Sequence, residues 1–184
     1  VADLSQAIEW FDHFITDTYS LYAVNGLTWD TANSQIHAIK PSHPGQLGKS
    51  FSTAKQNLYF ETRIKAQTAY PYGNNKLTLF RFREKSGQEF YTIGLLFKPG
   101  YTLGHADVVF GVHNFGWTEI TVFSNVDFTS YKTVRLKSFG TSHKIFVTGQ
   151  TETEISNALF NAAYPYDIEV RMESGYRNDK WYCD

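Results

Sequence analysis

The sequence predicts an all-β chain, a two-sheet antiparallel β-sandwich with a short helical turn near its N-terminus. Three observations lead there. Apolar and polar residues alternate over short segments, as in strands with one buried face. Neighbouring segments carry that alternation in opposite parity, which suits two sheets packed face to face. Turn residues punctuate the segments at short intervals, so a closed barrel is the other architecture the pattern admits.

The elements follow in chain order. Leu4–Phe14 has apolar residues at Leu4, Ala7, Ile8, Phe11 and Phe14, which is helical spacing. In Leu58–Ala66, Leu58, Phe60 and Ile64 share one face, and Glu61, Arg63 and Lys65 the other. Lys76–Glu84 puts Leu77, Leu79, Arg81 and Arg83 on one face and Thr78, Phe80 and Phe82 on the other. "KSGQ" at Lys85–Gln88 is turn chemistry. Glu89–Lys98 is apolar on both faces, as a central strand would be. Strands are expected at His105–His113 and Trp117–Ser124, split by "NFG". A second short helical turn is expected near Thr153–Phe160. "VRLKS" at Val134–Ser138 and "KIFV" at Lys144–Val147 return as "VRMES" at Val170–Ser174 and "KWYC" at Lys180–Cys183, so the chain is expected to end in a second, similar hairpin. Cys183 stands there where Val147 stands in the first, which makes it a buried apolar position.

Composition narrows the function classes. The 184 residues suit one β-rich domain, taken here as residues 1–184, with enough chain to bury a core. Because it begins at Val1, it is expected to be part of a longer chain. Net charge is −1, without the basic excess of a nucleic-acid-binding domain. No apolar run is long enough for a membrane-spanning helix. One cysteine permits no internal disulfide.

Several stretches resemble a known superfamily. "EWFDHF" followed by "GLTWDTANSQIHAIKP" looks like the opening of concanavalin A-like, laminin-G-like jelly rolls. "FSTAKQNLYFETRIKA" resembles their next strand pair, and "YKTVRLKSFGTSHKIFVTGQ" their penultimate hairpin. Val147-Thr148-Gly149 stands where the family often has Val-Asp-Gly. The resemblance implies a jelly-roll sandwich that binds carbohydrate or, in some members, cleaves it, and it carries the expectation of an extracellular or surface-exposed protein.

Chemistry is sparse. Retaining glycosidases of that superfamily place two Glu on one strand as Glu-x-Asp-x-x-Glu, with the carboxyls about 5 Å apart. That string is absent, so catalysis is not expected. Glu61, Glu89 and Glu119 lie on different strands and would have to converge. Glu152 and Glu154 read as solvated loop acids. Gln35-Ile36-His37 matches a lyase motif in its letters but sits too early in the chain. The six histidines offer no zinc spacing. No cofactor is expected, although oxygens near Asn74-Asn75 or Asp127 would suit calcium.

The functional signal is aromatic residues in polar loops. Sugar rings stack their C–H faces on aromatic rings, while their hydroxyls bond polar side chains. Tyr70, Tyr72, Asn74 and Asn75 form one such stretch, Tyr101, His105 and Asp107 a second, and His113, Asn114, Trp117 and Glu119 a third. The same aromatics would equally serve to cap the ends of the core. Three functions stay open: a non-catalytic binder of polysaccharide or glycan, an oligomeric structural or receptor-binding domain of a virion, fibre or surface assembly, and a glycan hydrolase or lyase.

Overall fold

A computed structural model describes residues 23–25, 28–30, 35–38, 46–50, 57–67, 75–83, 90–113, 117–156, 169–174 and 181–183. They form β1 (Ala23–Asn25), β2 (Thr28–Asp30), β3 (Gln35–Ala38), β4 (Gln46–Ser50), β5 (Leu58–Ala66), β6 (Asn75–Arg83) and β7 (Phe90–Phe97). β8 (His105–His113), β9 (Trp117–Asp127), β10 (Lys132–Phe139), β11 (Ser142–Val147), β12 (Thr153–Ser156), β13 (Glu169–Ser174) and β14 (Trp181–Cys183) follow. Among the described residues they make two seven-stranded antiparallel sheets. The front sheet runs β1-β4-β13-β6-β7-β8-β9 and the back sheet β12-β11-β10-β5-β14-β3-β2.

The predicted sandwich is thus observed, and alternation is its cause. Along β10, Val134, Leu136 and Ser138 are buried while Arg135 and Lys137 face outward. Ile64 and Ala66 of β5 are fully buried, with Arg63 exposed and Lys65 half-buried. β7 is central, between β6 and β8, and Thr92, Ile93, Gly94 and Leu95 are all buried. Ile93, Leu95, Val108, Phe110 and Val112 of the front sheet share the core with Val134, Leu136, Ile145 and Val147 of the back sheet. His143 is also wholly buried: its ring stacks on Phe110 at 5.1 Å, and its Nδ1 lies 3.0 Å from Ser138 Oγ. The contact between His143 Nδ1 and Ser138 Oγ offsets part of the cost of burying this polar pair.

Three expectations fail. Thr153–Ser156 is strand β12, paired with β11, and not a helical turn; its pairing along an open edge outweighs local preference. The alternation in β6 breaks at a bulge between Thr78 and Phe80. One extra residue reverses the facing of all that follow, so Phe80 stands opposite Ile93 and Arg81 opposite Thr92, and Arg81 is spared the core side.

The third failure is the terminal hairpin. β10 and β11 do pair, around the tight turn at Gly140-Thr141. Their look-alikes β13 and β14 do not. β13 lies between β4 and β6 in the front sheet, and β14 between β5 and β3 in the back sheet. Local sequence sets strand propensity, but long-range contacts choose the partner. Cys183 aligns with the fully buried Ile64 in register; its side chain, and the predicted helix at Leu4–Phe14, lie outside the described residues.

Candidate functional site

The strands of the front sheet place one face toward the back sheet and one away from it. On β8 the core side holds Val108, Phe110 and Val112, so His105, Asp107, Val109 and Gly111 belong to the other side. Thr92 and Gly94 of β7 belong there too, since Thr92 pairs with Gly111 and Gly94 with Val109. β9 contributes Glu119 opposite Gly111 and Thr121 opposite Val109. β6 contributes Lys76 opposite Leu96.

Two glycines shape this face. Gly94 and Gly111 lack side chains, so the floor between β6 and β9 is low. Lys76 uses that space: a Cβ on Gly94 would lie 2.8 Å from Lys76 Cε. The lysine crosses β7 and donates to Thr92 Oγ1 at 3.3 Å and to Glu119 Oε2 at 2.5 Å. Burial holds the Lys76 ammonium below the usual lysine range, and Glu119 offsets part of that pull. About a fifth of each side chain remains exposed, 21% and 22%. The result is a partly desolvated charge pair above a floor of Gly94, Val109 and Gly111, flanked by Thr92 and Thr121.

At one end of this face the chain is locked by Asp107. The carboxylate is fully buried, and Oδ1 accepts from Tyr101 Oη at 2.6 Å and from the Asn125 backbone N at 2.8 Å. Lys98 Nζ closes on Oδ2. Burial alone would raise the carboxyl pKa; the bonds from Lys98, Tyr101 and the Asn125 amide outweigh it and hold the group below the usual carboxylate range. The hydrogen bond to Asp107 raises both Lys98 and Tyr101. Asn125 sits at φ 52° where β9 bulges, a conformation asparagine tolerates better than most residues. Its side-chain Oδ1 lies 3.1 Å from His105 Nδ1.

Of the sequence-predicted residues, Tyr101, His105 and Asp107 are brought together. Asp107 is wholly engaged within the protein, by Tyr101, Lys98 and the Asn125 amide. The register places His113 opposite Trp117, at the other end of the same face, two residues beyond Gly111 and Glu119. Thus two of the three loop stretches are opposite ends of one surface. Asn75 opens β6 opposite Phe97. The side chains of His113, Trp117 and Asn75, and all of Tyr70, Tyr72, Asn74 and Asn114, lie outside the described residues.

Of the three glutamates named together, Glu61 and Glu119 do not meet: Glu61 is on the back sheet, bonded by Arg135 Nε at 2.6 Å, and Glu119 is on the front sheet; Glu89 lies outside the described residues. Gln35-Ile36-His37 is in β3 of the back sheet, away from this face. No cluster of three or more His, Cys, Asp or Glu suited to a metal occurs among the described residues. Asp127, one of the oxygens suited to calcium, accepts from Thr129 N at 2.8 Å and Oγ1 at 2.7 Å. Sequence reasoning missed Lys76, Thr92, Lys98 and Asn125. Glycines inside the strands were the available sign, because they mark close approach.

No protein-family model matches the chain, and no curated protein matches its sequence. Solved structures do match. Bacillus licheniformis β-glucanase superposes with a TM-score of 0.63 at 15% identity, over 95% of this chain and 94% of that one. SCLam, a non-specific endo-β-1,3(4)-glucanase from family GH16, gives 0.62 at 12% identity, over 95% and 87%. The carbohydrate-binding module CBM66 from Bacillus subtilis gives 0.53 at 11% identity, over 89% and 92%. The two seven-stranded sheets and these superpositions give the chain the concanavalin A-like jelly-roll fold.

Proposed function

We propose that the chain binds glycan on the outward face of β6–β9 and does not cleave it. The observation that carries this is the glycine-lowered floor with the Lys76–Glu119 pair above it. A sugar ring needs a flat, partly apolar bed and a few fixed polar groups; the Lys76 stem laid over Gly94, its ammonium, the Glu119 carboxylate and the exposed Thr121 offer these above a floor that the buried Gly94, Val109 and Gly111 pack closed. The matched structures include enzymes and a binding module whose names concern glycans, which supports the ligand class. Hydrolysis with retention needs two carboxyls about 5 Å apart. On the described part of this face Glu119 is tied to Lys76, and Asp107 is buried and occupied. The reading implies a polysaccharide partner met outside the cell or at its surface.

A glycan array probed with the isolated chain tests the binding. Release of reducing ends from any bound polysaccharide would instead establish hydrolysis, the reading favoured by the glucanase matches. Trp117 shares register parity with Glu119, so Trp117→Ala is expected to weaken glycan binding about tenfold or more. Its stability cost is expected to stay below the roughly 3–5 kcal/mol of a core aromatic truncation. A melting curve and a binding isotherm on the same variant check both; unchanged binding removes Trp117 from the site.

A further inference from the structure

The outward face of the back sheet carries a feature unrelated to the front-sheet site. Lys137 of β10 and Lys144 of β11 stand directly opposite each other. Like charges in that position work against strand pairing. Tyr59 of β5 stands opposite Lys137 on its other side, so the cross-strand row reads Tyr59, Lys137, Lys144 and then Glu154 of β12. The next row brings Phe139 opposite Ser142. Tyr59 is 50% exposed and Phe139 58% exposed, both large aromatics held on a rigid sheet. Two lysines are therefore bracketed by two half-exposed rings.

The local acids balance the lysines only from the rim. Glu152 lies 3.3 Å from Lys137 and Glu154 3.7 Å from Lys144, and all four side chains are about a third or more exposed. Ion pairs so exposed are weak and yield readily to another anion. The Tyr59 hydroxyl donates to Glu61 at 2.9 Å, and Arg135 Nε donates to the same carboxylate at 2.6 Å, which steadies the Tyr59 ring. A ligand that fits must offer an apolar ring face to Tyr59 or Phe139 and an anionic group to the lysines. Both belong to an acidic sugar.

We propose that this row is a second glycan site, selective for acidic polysaccharide carrying carboxylate or sulfate groups. It stands independently of the front-sheet reading. An anionic group of the chain displaces Glu152 and Glu154 from Lys137 and Lys144, while neighbouring rings stack on Tyr59 and Phe139.

Native affinity electrophoresis at low salt tests it, with polygalacturonate, dextran sulfate or neutral dextran in the gel. The chain is expected to be retarded by one or both acidic polymers and not by dextran; which polymer acts identifies the anionic group. The double variant Lys137→Gln/Lys144→Gln is expected to lose about tenfold or more in retardation, since charge-assisted contacts carry the affinity. Glu152→Gln/Glu154→Gln is expected to bind more tightly. Tyr59→Ala/Phe139→Ala keeps every charge and is expected to bind more weakly, which simple ion exchange would not produce. Trp117→Ala is expected to retain acidic binding. Melting curves identify any variant that is misfolded, and the surface position of all six residues leaves the remaining variants informative. The proposal is overturned if neither acidic polymer retards the chain, if the lysine variant behaves as wild type, or if a single-stranded oligodeoxynucleotide is retained as strongly as the polysaccharides.

Discussion

Asp107→Ala is expected to destabilise the chain by about 2–4 kcal/mol, or roughly 5–15 °C in Tm for a domain of this size. The carboxylate is buried and holds three groups from two segments: Tyr101 Oη and Lys98 of the loop between β7 and β8, and the Asn125 amide at the β9 bulge. Alanine leaves the tyrosine hydroxyl and the amide without their acceptor. Lys98, 35% exposed, turns to water and loses less. Asp107→Asn keeps the shape and loses the charge, so its effect is expected to fall between. The pH dependence has a definite sign. The folded pKa lies below the ordinary aspartate value of 3.8, so the ionised carboxylate favours the folded state. Its contribution is complete above the unfolded value and is lost as pH falls through the folded one. Chemical denaturation at neutral pH and near pH 3 should therefore show the gap between wild type and Asp107→Ala narrowing in acid. A gap that stays constant, or a loss at neutral pH below about 1 kcal/mol, contradicts this role for a buried hydrogen-bonded charge.

Gly104→Ala is expected to cost a comparable amount, again about 2–4 kcal/mol, for a steric reason. Gly104 has φ 76°, which alone strains an alanine. Its Cβ would also stand 2.7 Å from the Ala66 carbonyl oxygen and 2.8 Å from Thr129 Cγ2. Neither neighbour yields easily. The Gly104 carbonyl accepts from Phe128 N, and Phe128 O accepts from Ala66 N, both at 2.9 Å, so one small knot ties the loop before β8, the segment after β9 and the end of β5. Gly100 is the control. It has φ 85° but open space where an added methyl would stand, so Gly100→Ala is expected to lose only about 1–2 kcal/mol. Thermal melts of the two variants side by side check this; equal losses would show that crowding at Ala66 is relieved by movement.

The layers of the fold were legible because burial leaves a two-residue rhythm. Leu58–Ala66 shows it, with the expected Leu58 and Ile64 buried and Phe60 half-buried, and the same rhythm runs through Val134–Phe139 and Ser142–Val147. Bulges were not legible, since a single extra residue in β6 or β9 depends on its neighbour strand. Nor was the separation of β13 from β14, because a local resemblance to β10 and β11 says nothing of long-range partners. At the candidate site, the mixture of aromatic and polar residues pointed to Tyr101, His105 and Asp107; Tyr101 and Asp107 bond directly, and His105 joins them through Asn125. It could not foresee that Asp107 serves the protein's own loops. Lys76 and Glu119 are 43 residues apart in sequence and join only across two intervening strands. Their pairing depends on Gly94, whose missing side chain admits the lysine.

The central claim is that a glycan lies on the outward face of β6–β9. An amide NMR titration of the isotope-labelled chain with neutral oligosaccharides chosen from the array measures it most directly. The account predicts saturable shifts concentrated at Thr92, Gly94, Gly111, Glu119 and Thr121, with Arg135, Lys137 and Lys144 of the back sheet unmoved. Shifts centred on the back sheet, or no shift at the five front-sheet amides with a sugar that the array shows to bind, would contradict it.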